Sequence, residues 1–158
     1  LADIELETED NNGINKKKIW DRNNNDFRDS GAIMVGAGHS TFSRNPNSRT
    51  YHTNYGNRID CHAWGEKIYT TDSQNFSYGY QEFGKTSGAS AIIAGFITCL
   101  QAIYKKYNNG EIITPDKMKE YLSDYTLGYT APGGNTIFSP SWIGPMPDMD
   151  LILQKLGI

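Results

Sequence analysis

Apolar and polar positions separate the chain into stretches with different periodicities. Residues 1–30 are polar, rich in Asn and Asp, and carry the run Lys16-Lys17-Lys18. They predict irregular surface chain, with Trp20 and Phe27 as anchors onto the core. The first continuous apolar run is GAIMVGAG at residues 31–38, with glycine at both ends. A short run of this kind predicts a strand buried on both faces, as in a parallel sheet. Residues 39–57, dense in Ser, Asn and Pro, predict a loop. RIDCHAWGEKIYTT then predicts two short strands around Gly65, and residues 72–82 return to loop.

The longest predicted element is a helix over residues 87–107. Ile92, Ile93, Phe96, Ile97, Leu100 and Ile103 leave it no wide polar face over the first three turns. A helix apolar all round is buried in the middle of a domain. It ends in YNNGE, where Gly110 can take the left-handed C-terminal conformation. Thr114-Pro115-Asp116 opens a second helix, an N-cap hydroxyl followed by proline in the first turn, ending near Tyr125. A Gly/Pro loop through APGGN and IGPMPD precedes a last short helix over about 148–156. No repeat or linker interrupts the order. It predicts one α/β domain or part-domain over 1–158, with a parallel sheet and a long buried central helix.

Composition narrows the function classes. A chain of 158 residues suits one domain with one core, and 37% hydrophobic with 21% charged residues is globular in character. A net charge of -3 offers no electrostatic footprint for nucleic acid or an anionic membrane. No apolar run approaches the roughly 20 residues that span a bilayer. Cys61 and Cys99 lie in apolar surroundings and predict two buried free thiols. The first residue is Leu1, and LADIELETED has neither a basic n-region nor an apolar h-region. The chain is therefore expected to begin inside a longer translation product, and no localisation is read from it.

Candidate chemistry concentrates in FGKTSGASAIIAGF, residues 83–96. Ser87 stands at the mouth of the long helix, where unsatisfied backbone N–H groups and the helix dipole favour negative charge. A hydroxyl there suits acyl transfer, which needs a nucleophile and donors for the oxyanion. Gly88 and Ala89 keep the approach open. The same local chemistry also fits Thr86 and Ser87 as ordinary N-cap residues.

TSGASAIIAG resembles the active-site serine segment of the subtilisin-like proteases (subtilases), G-T-S-x-A-S-P followed by an apolar stretch ending in Ala-Gly. Thr86, Ser87, Ala89, Ser90, Ala94 and Gly95 fall on matching positions. GAIMVGAG resembles the family strand of type V-I-x-V-G-A. TNYGNRIDCHAWGEKIYTT resembles S-N-Y-G-x-x-I/V-D-x-x-A-P-G-x-x-I-x-S/T-T. These blocks occur in the family's order over most of residues 30–107. The resemblance implies the C-terminal portion of a subtilisin-like fold, a serine endopeptidase working through an acyl-enzyme, and Ser87 as its nucleophile. It implies no cofactor for catalysis. Calcium sites are common in the family, but no oxygen-ligand cluster marks one here. Lys85 stands where the family has glycine, and Ala91 where it has proline.

Subtilases use an Asp-His-Ser triad, and the other two members are missing from the pattern. No H-G-T-x-V-A-G, D-T/S-G or A-A-G-N segment occurs. His39, His52 and His62 read as surface or core histidines, and Asn12 is a poor substitute for the oxyanion asparagine. The resemblance thus implies a partner, an N-terminal chain of the same protease carrying Asp, His and the oxyanion Asn, with a peptide or protein as substrate. Nicking in the polar N-terminal stretch would produce such a two-chain enzyme. The alternatives are a pseudoprotease that keeps the fold for binding, and an unrelated α/β binding domain. Asp21, Asp26 and Asp29 could line an acidic specificity pocket or simply be solvated.

Overall fold

The computed structural model describes residue 25 and residues 27–72, 79–130 and 141–158. Asn12, Trp20, Asp21, Asp26 and the APGGN stretch lie outside the described residues. The elements run β1 (Val35–Gly38), β2 (Cys61–Trp64), β3 (Ile68–Asp72), β4 (Gly79–Phe83), α1 (Lys85–Tyr107), α2 (Pro115–Ser123), a 3-10 turn (Tyr125–Leu127), β5 (Gly128–Tyr129), β6 (Met146–Pro147) and α3 (Met149–Leu156).

β1 and β2 are parallel, in register from Val35 opposite Cys61 to Gly38 opposite Trp64. Their small buried residues Ala37, Cys61 and Ala63 form a flat floor on which α1 lies through Ala89, Ile93 and Leu100. Burial pushes the Cys61 thiol well above its ordinary range, and the Asp60 charge adds to the effect. The expected strand at 31–38 is thus real but shorter. Before it, Met34 N–H donates to Asp60 Oδ2 at 2.7 Å, so a side chain takes the place of a strand neighbour.

The two short strands expected around Gly65 are β2 and β3, whereas β4 and the β5–β6 pair escaped the hydrophobic pattern. β3 and β4 are antiparallel, with Ile68 opposite Phe83 and Asp72 opposite Gly79, where loop was expected over 72–82. The four residues from Tyr80 to Phe83 are all exposed, so β4 has no buried face to generate alternation. β5 and β6 form a two-residue antiparallel pair, and β6 packs against β2 and α2.

α1 begins at Lys85, two residues before the expected start. Its burial corrects the sequence reading. Gly88, Ala89, Ile93 and Leu100 are buried, and Phe96 and Ile97 are half-buried. Ile92 is 37% exposed, and Ala91, Ala94, Gly95, Thr98 and Cys99 are exposed too. The α/β class and the parallel pair stand. The helix, however, is buried along one stripe, because the β1–β2 floor covers only one of its faces. Cys99 falls on the uncovered side and is not the buried thiol expected. By length and composition α1 could cross a bilayer, yet its apolar stripe is seated on β1 and β2.

The later helices follow their caps. Thr114 Oγ1 accepts from Lys117 N–H with Pro115 in the first turn, and Asp148 Oδ1 accepts from Asp150 and Leu151 N–H. Gly110, with φ of 87°, takes the left-handed turn after α1. A charged network ties the segment before β1 to this scaffold. Buried Arg58 approaches buried Asp60 at 3.4 Å, and Lys119 of α2 reaches Asp29 at 2.8 Å and Asp60 at 3.9 Å. The Arg58 guanidinium also lies 5.7 Å from the ring centre of Phe27, which anchors that segment as expected.

Candidate active site

The mouth of α1 is assembled at the C-terminal ends of β1 and β2, where open α/β sheets place their ligands. Gly65, just beyond β2, donates its N–H to Gly38 O at 2.8 Å and accepts from Lys85 N–H at 2.6 Å. A Cβ on Gly65 would lie 2.5 Å from Ala37 Cβ, and one on Gly84 would run into Gly65 O. Both glycines are needed for the turn to lie this close to the strand ends.

Gly84 is the N-cap residue, and no side chain caps this helix. Thr86 and Ser87 are therefore not N-caps, which removes the ordinary local explanation for the hydroxyl pair. They occupy the second and third helical positions. The first helical hydrogen bond runs from Gly88 N–H to Gly84 O at 3.1 Å. Lys85 N–H is held by Gly65, so the N–H groups of Thr86 and Ser87 have no backbone acceptor among the described residues.

Ser87 itself is exposed, and its Oγ makes no hydrogen bond to the described residues. Beside it, the β3–β4 hairpin closes over Gly88, where a Cβ would stand 2.6 Å from Ile68 Cδ1. Helix and hairpin enclose an open groove of about 470 Å³ lined by Ile68, Thr70, Phe83, Gly88, Ala91 and Ile92. A hydroxyl, free N–H groups and the positive end of a long helix thus lie together, one residue along the chain from a groove-lining glycine. That combination can bind an extended chain and stabilise an oxyanion.

Lys85 breaks two local rules. Its φ of +61° is in the left-handed region, which costs an L-residue with a side chain about 1–2 kcal/mol. Its ammonium group also opens the helix at the end that disfavours cations, worth about 0.3–1 kcal/mol. The side chain is exposed and forms no ion pair with the described residues.

The three histidines lie apart from Ser87 in their bonding. His39 Nδ1 meets Glu66 Oε1 at 3.1 Å, and the same oxygen accepts from Ser40 N–H at 3.1 Å. Partial burial raises the Glu66 pKa, but the hydrogen bonds from His39 and Ser40 outweigh it and hold the carboxyl below its usual value. His62 is fully buried in β2, with Nδ1 at 2.7 Å from Gly144 O. Nδ1–H donates to that carbonyl, leaving Nε2 as a buried lone pair against Gly38. Burial lowers its pKa to about 4, only partly countered by the Gly144 bond, so His62 is neutral at pH 7. His52 is exposed and edge-on to Tyr51 at 5.3 Å. Asp29 is held near pKa 2, chiefly by the Lys119 hydrogen bond, so its carboxylate belongs to the α2 network. Among the described residues no group of three His, Cys, Asp or Glu side chains is placed to hold a metal ion.

Sequence reasoning missed Glu66 and the Gly38–Gly65–Gly84 packing. The signal available was a glycine closing the first predicted strand and another between the next two, which pointed to close backbone approach.

Residues 11–138 match the subtilase family, and the chain belongs to that family of serine proteases. No curated protein matches. Among solved structures it is similar to the prenylagaramide maturation protease PagA, at 20% identity and a TM-score of 0.59. The likeness covers 79% of this chain and 42% of that one, so the chain spans less than half of that protease's length. At such identity the likeness shows the fold.

Proposed function

We propose that this chain is the nucleophile-bearing part of a serine endopeptidase. The observation that carries the reading is Ser87, exposed and uncapping, in the first turn of α1 within a TSGAS segment of a subtilase chain. Ser87 Oγ attacks the scissile carbonyl and forms the acyl-enzyme, while the N–H groups at the helix start and the helix dipole stabilise the oxyanion. The substrate is a peptide or protein. No cofactor enters these steps.

The base that takes the Ser87 proton, the acid that orients it and the second oxyanion donor come from a partner chain, the N-terminal part of the same protease. His39, His52 and His62 are engaged elsewhere or exposed without a bond to Ser87. The uncovered face of α1 supports a partner. Ala91, Gly95, Thr98 and Ala102 repeat at helical spacing on it, and a Cβ on Gly95 would meet nothing within 4 Å among the described residues. Small residues in such a row let another helix approach closely. More than half of the similar protease's length also lies outside the match.

The reading as a binding-only pseudoprotease draws support from Lys85 alone. Replacing Ser87 by alanine in the native protein separates the two. Peptidase activity is expected to fall by about 10⁴–10⁶-fold while the partner chain stays associated. Activity that survives Ser87→Ala overturns the proposal.

A further inference from the structure

Lys85 lies two residues before Ser87, in a backbone conformation that glycine would adopt without strain. Left-handed φ at a residue with a side chain, where the surrounding structure enforces it, is an outlier that points toward function. Here the enforcement is visible: Lys85 N–H is fixed on Gly65 O at 2.6 Å, and Gly84 is packed beneath the same carbonyl.

The charge is as informative as the backbone. Lys85 opens α1 three residues before Gly88, and Gly88, Ala91 and Ile92 are the helix residues that line the groove. The nearby carboxylates of the chain are already engaged. Glu66 is bonded by His39 and Ser40, and Glu82 pairs with Lys67 at 3.4 Å. An exposed cation is thus left in the first turn of α1, two residues before the hydroxyl and three before the first groove-lining helix residue, free of internal partners among the described residues.

We propose that Lys85 is a specificity-determining residue that selects a substrate carboxylate close to the scissile bond. The inference rests on Ser87 being the nucleophile and adds the substrate class to it: peptides with Asp or Glu within a residue or two of the cleaved bond, or with a free C-terminal carboxylate just beyond it. The ammonium contributes attraction to the bound chain, and the electropositive helix start reinforces it.

The test uses the native two-chain protein and matched peptides that differ only by Glu against Gln at each position flanking the cleaved bond. One set carries amidated C-termini and a second set carries free ones, which tells a side-chain carboxylate from a terminal one. The readout is the ratio of kcat/KM for the acidic and neutral member of each pair. Wild type is expected to favour the acidic member at one position by about fivefold or more, as an exposed but well-placed ion pair allows. Lys85→Met is expected to abolish that ratio and Lys85→Glu to invert it, while Lys105→Met at the far end of α1 leaves it unchanged. Lys85→Gly removes the backbone strain as well and should behave as Lys85→Met. A wild-type enzyme indifferent to charge at every position overturns the proposal, and so does a ratio that survives Lys85→Met and Lys85→Glu. Both outcomes leave the Ser87 reading standing, since they require cleavage that Ser87→Ala abolishes. Cleavage that persists in Ser87→Ala removes both.

Discussion

Lys85 N–H and Gly65 O are joined by a hydrogen bond of 2.6 Å that ties the start of α1 to the end of β2. This bond sets where Ser87 sits relative to the sheet. A methyl group on Gly65 would lie 2.5 Å from Ala37 Cβ on the strand floor, where neither backbone can yield cheaply. Gly65→Ala is expected to destabilise the protein by about 1–3 kcal/mol, as overpacking does, and to slow the chemistry proposed for Ser87. Denaturant midpoints and cleavage rates measured side by side check this. An unchanged midpoint with unchanged rate would contradict the role given to this contact.

His62 makes stability depend on pH. Its pKa falls from an ordinary 6.5 to about 4 on folding, because burial disfavours the charged ring. The folded state thus resists protonation that the unfolded state accepts. The His62 contribution is complete above pH 6.5, declines as the pH drops toward 4, and levels off below that. The loss is on the order of 3 kcal/mol. Melting temperatures across that interval should fall more steeply for wild type than for His62→Gln, and parallel curves would contradict it.

Arg58 is 1% exposed, and its nearest carboxylate partner, Asp60, is equally buried. Removing one partner strands the other charge in the interior. Asp60→Ala is expected to cost about 3–5 kcal/mol, and adding Arg58→Met should recover part of that loss. Chemical denaturation of the single and double variants decides the point. A double variant less stable than Asp60→Ala alone would show that the pair is not the coupled unit described.

The two sides of α1 should respond differently. Ile93 is 3% exposed, and Ile93→Ala should cost about 2–5 kcal/mol. At Gly95 a Cβ would meet nothing within 4 Å among the described residues, so Gly95→Leu should leave their packing intact but block the helix that is proposed to cover that face. Co-purification of the partner and peptidase activity are both expected to drop at least tenfold, on the order of the affinity change that a steric clash brings. Full activity with the partner retained would place the partner elsewhere.

The sequence carried the fold wherever packing leaves a periodic trace. The apolar run before Gly38 and the long helix through Leu100 announced themselves because their residues are selected by a shared floor. β4 left no trace, since Tyr80 and Glu82 face solvent and Gln81 and Phe83 only border a groove. The exposure of Ile92 and Cys99 was also hidden, because periodicity reports which residues are apolar and not which surfaces are present to cover them. The place of Ser87 at the mouth of the long helix was legible from its motif. The Glu66 bonds to His39 and Ser40 were not, because they join loops 26 and 27 residues apart through side-chain geometry alone.

Covalent labelling of Ser87 by a fluorophosphonate probe tests the central claim most directly, because the probe reacts only with a serine that an assembled base activates. The native protein should be labelled on the tryptic peptide containing Ser87, with labelling lost in Ser87→Ala and in the chain separated from its partner. A native protein that cleaves peptides yet carries the probe on another residue, or is not labelled at Ser87 at all, would contradict the account.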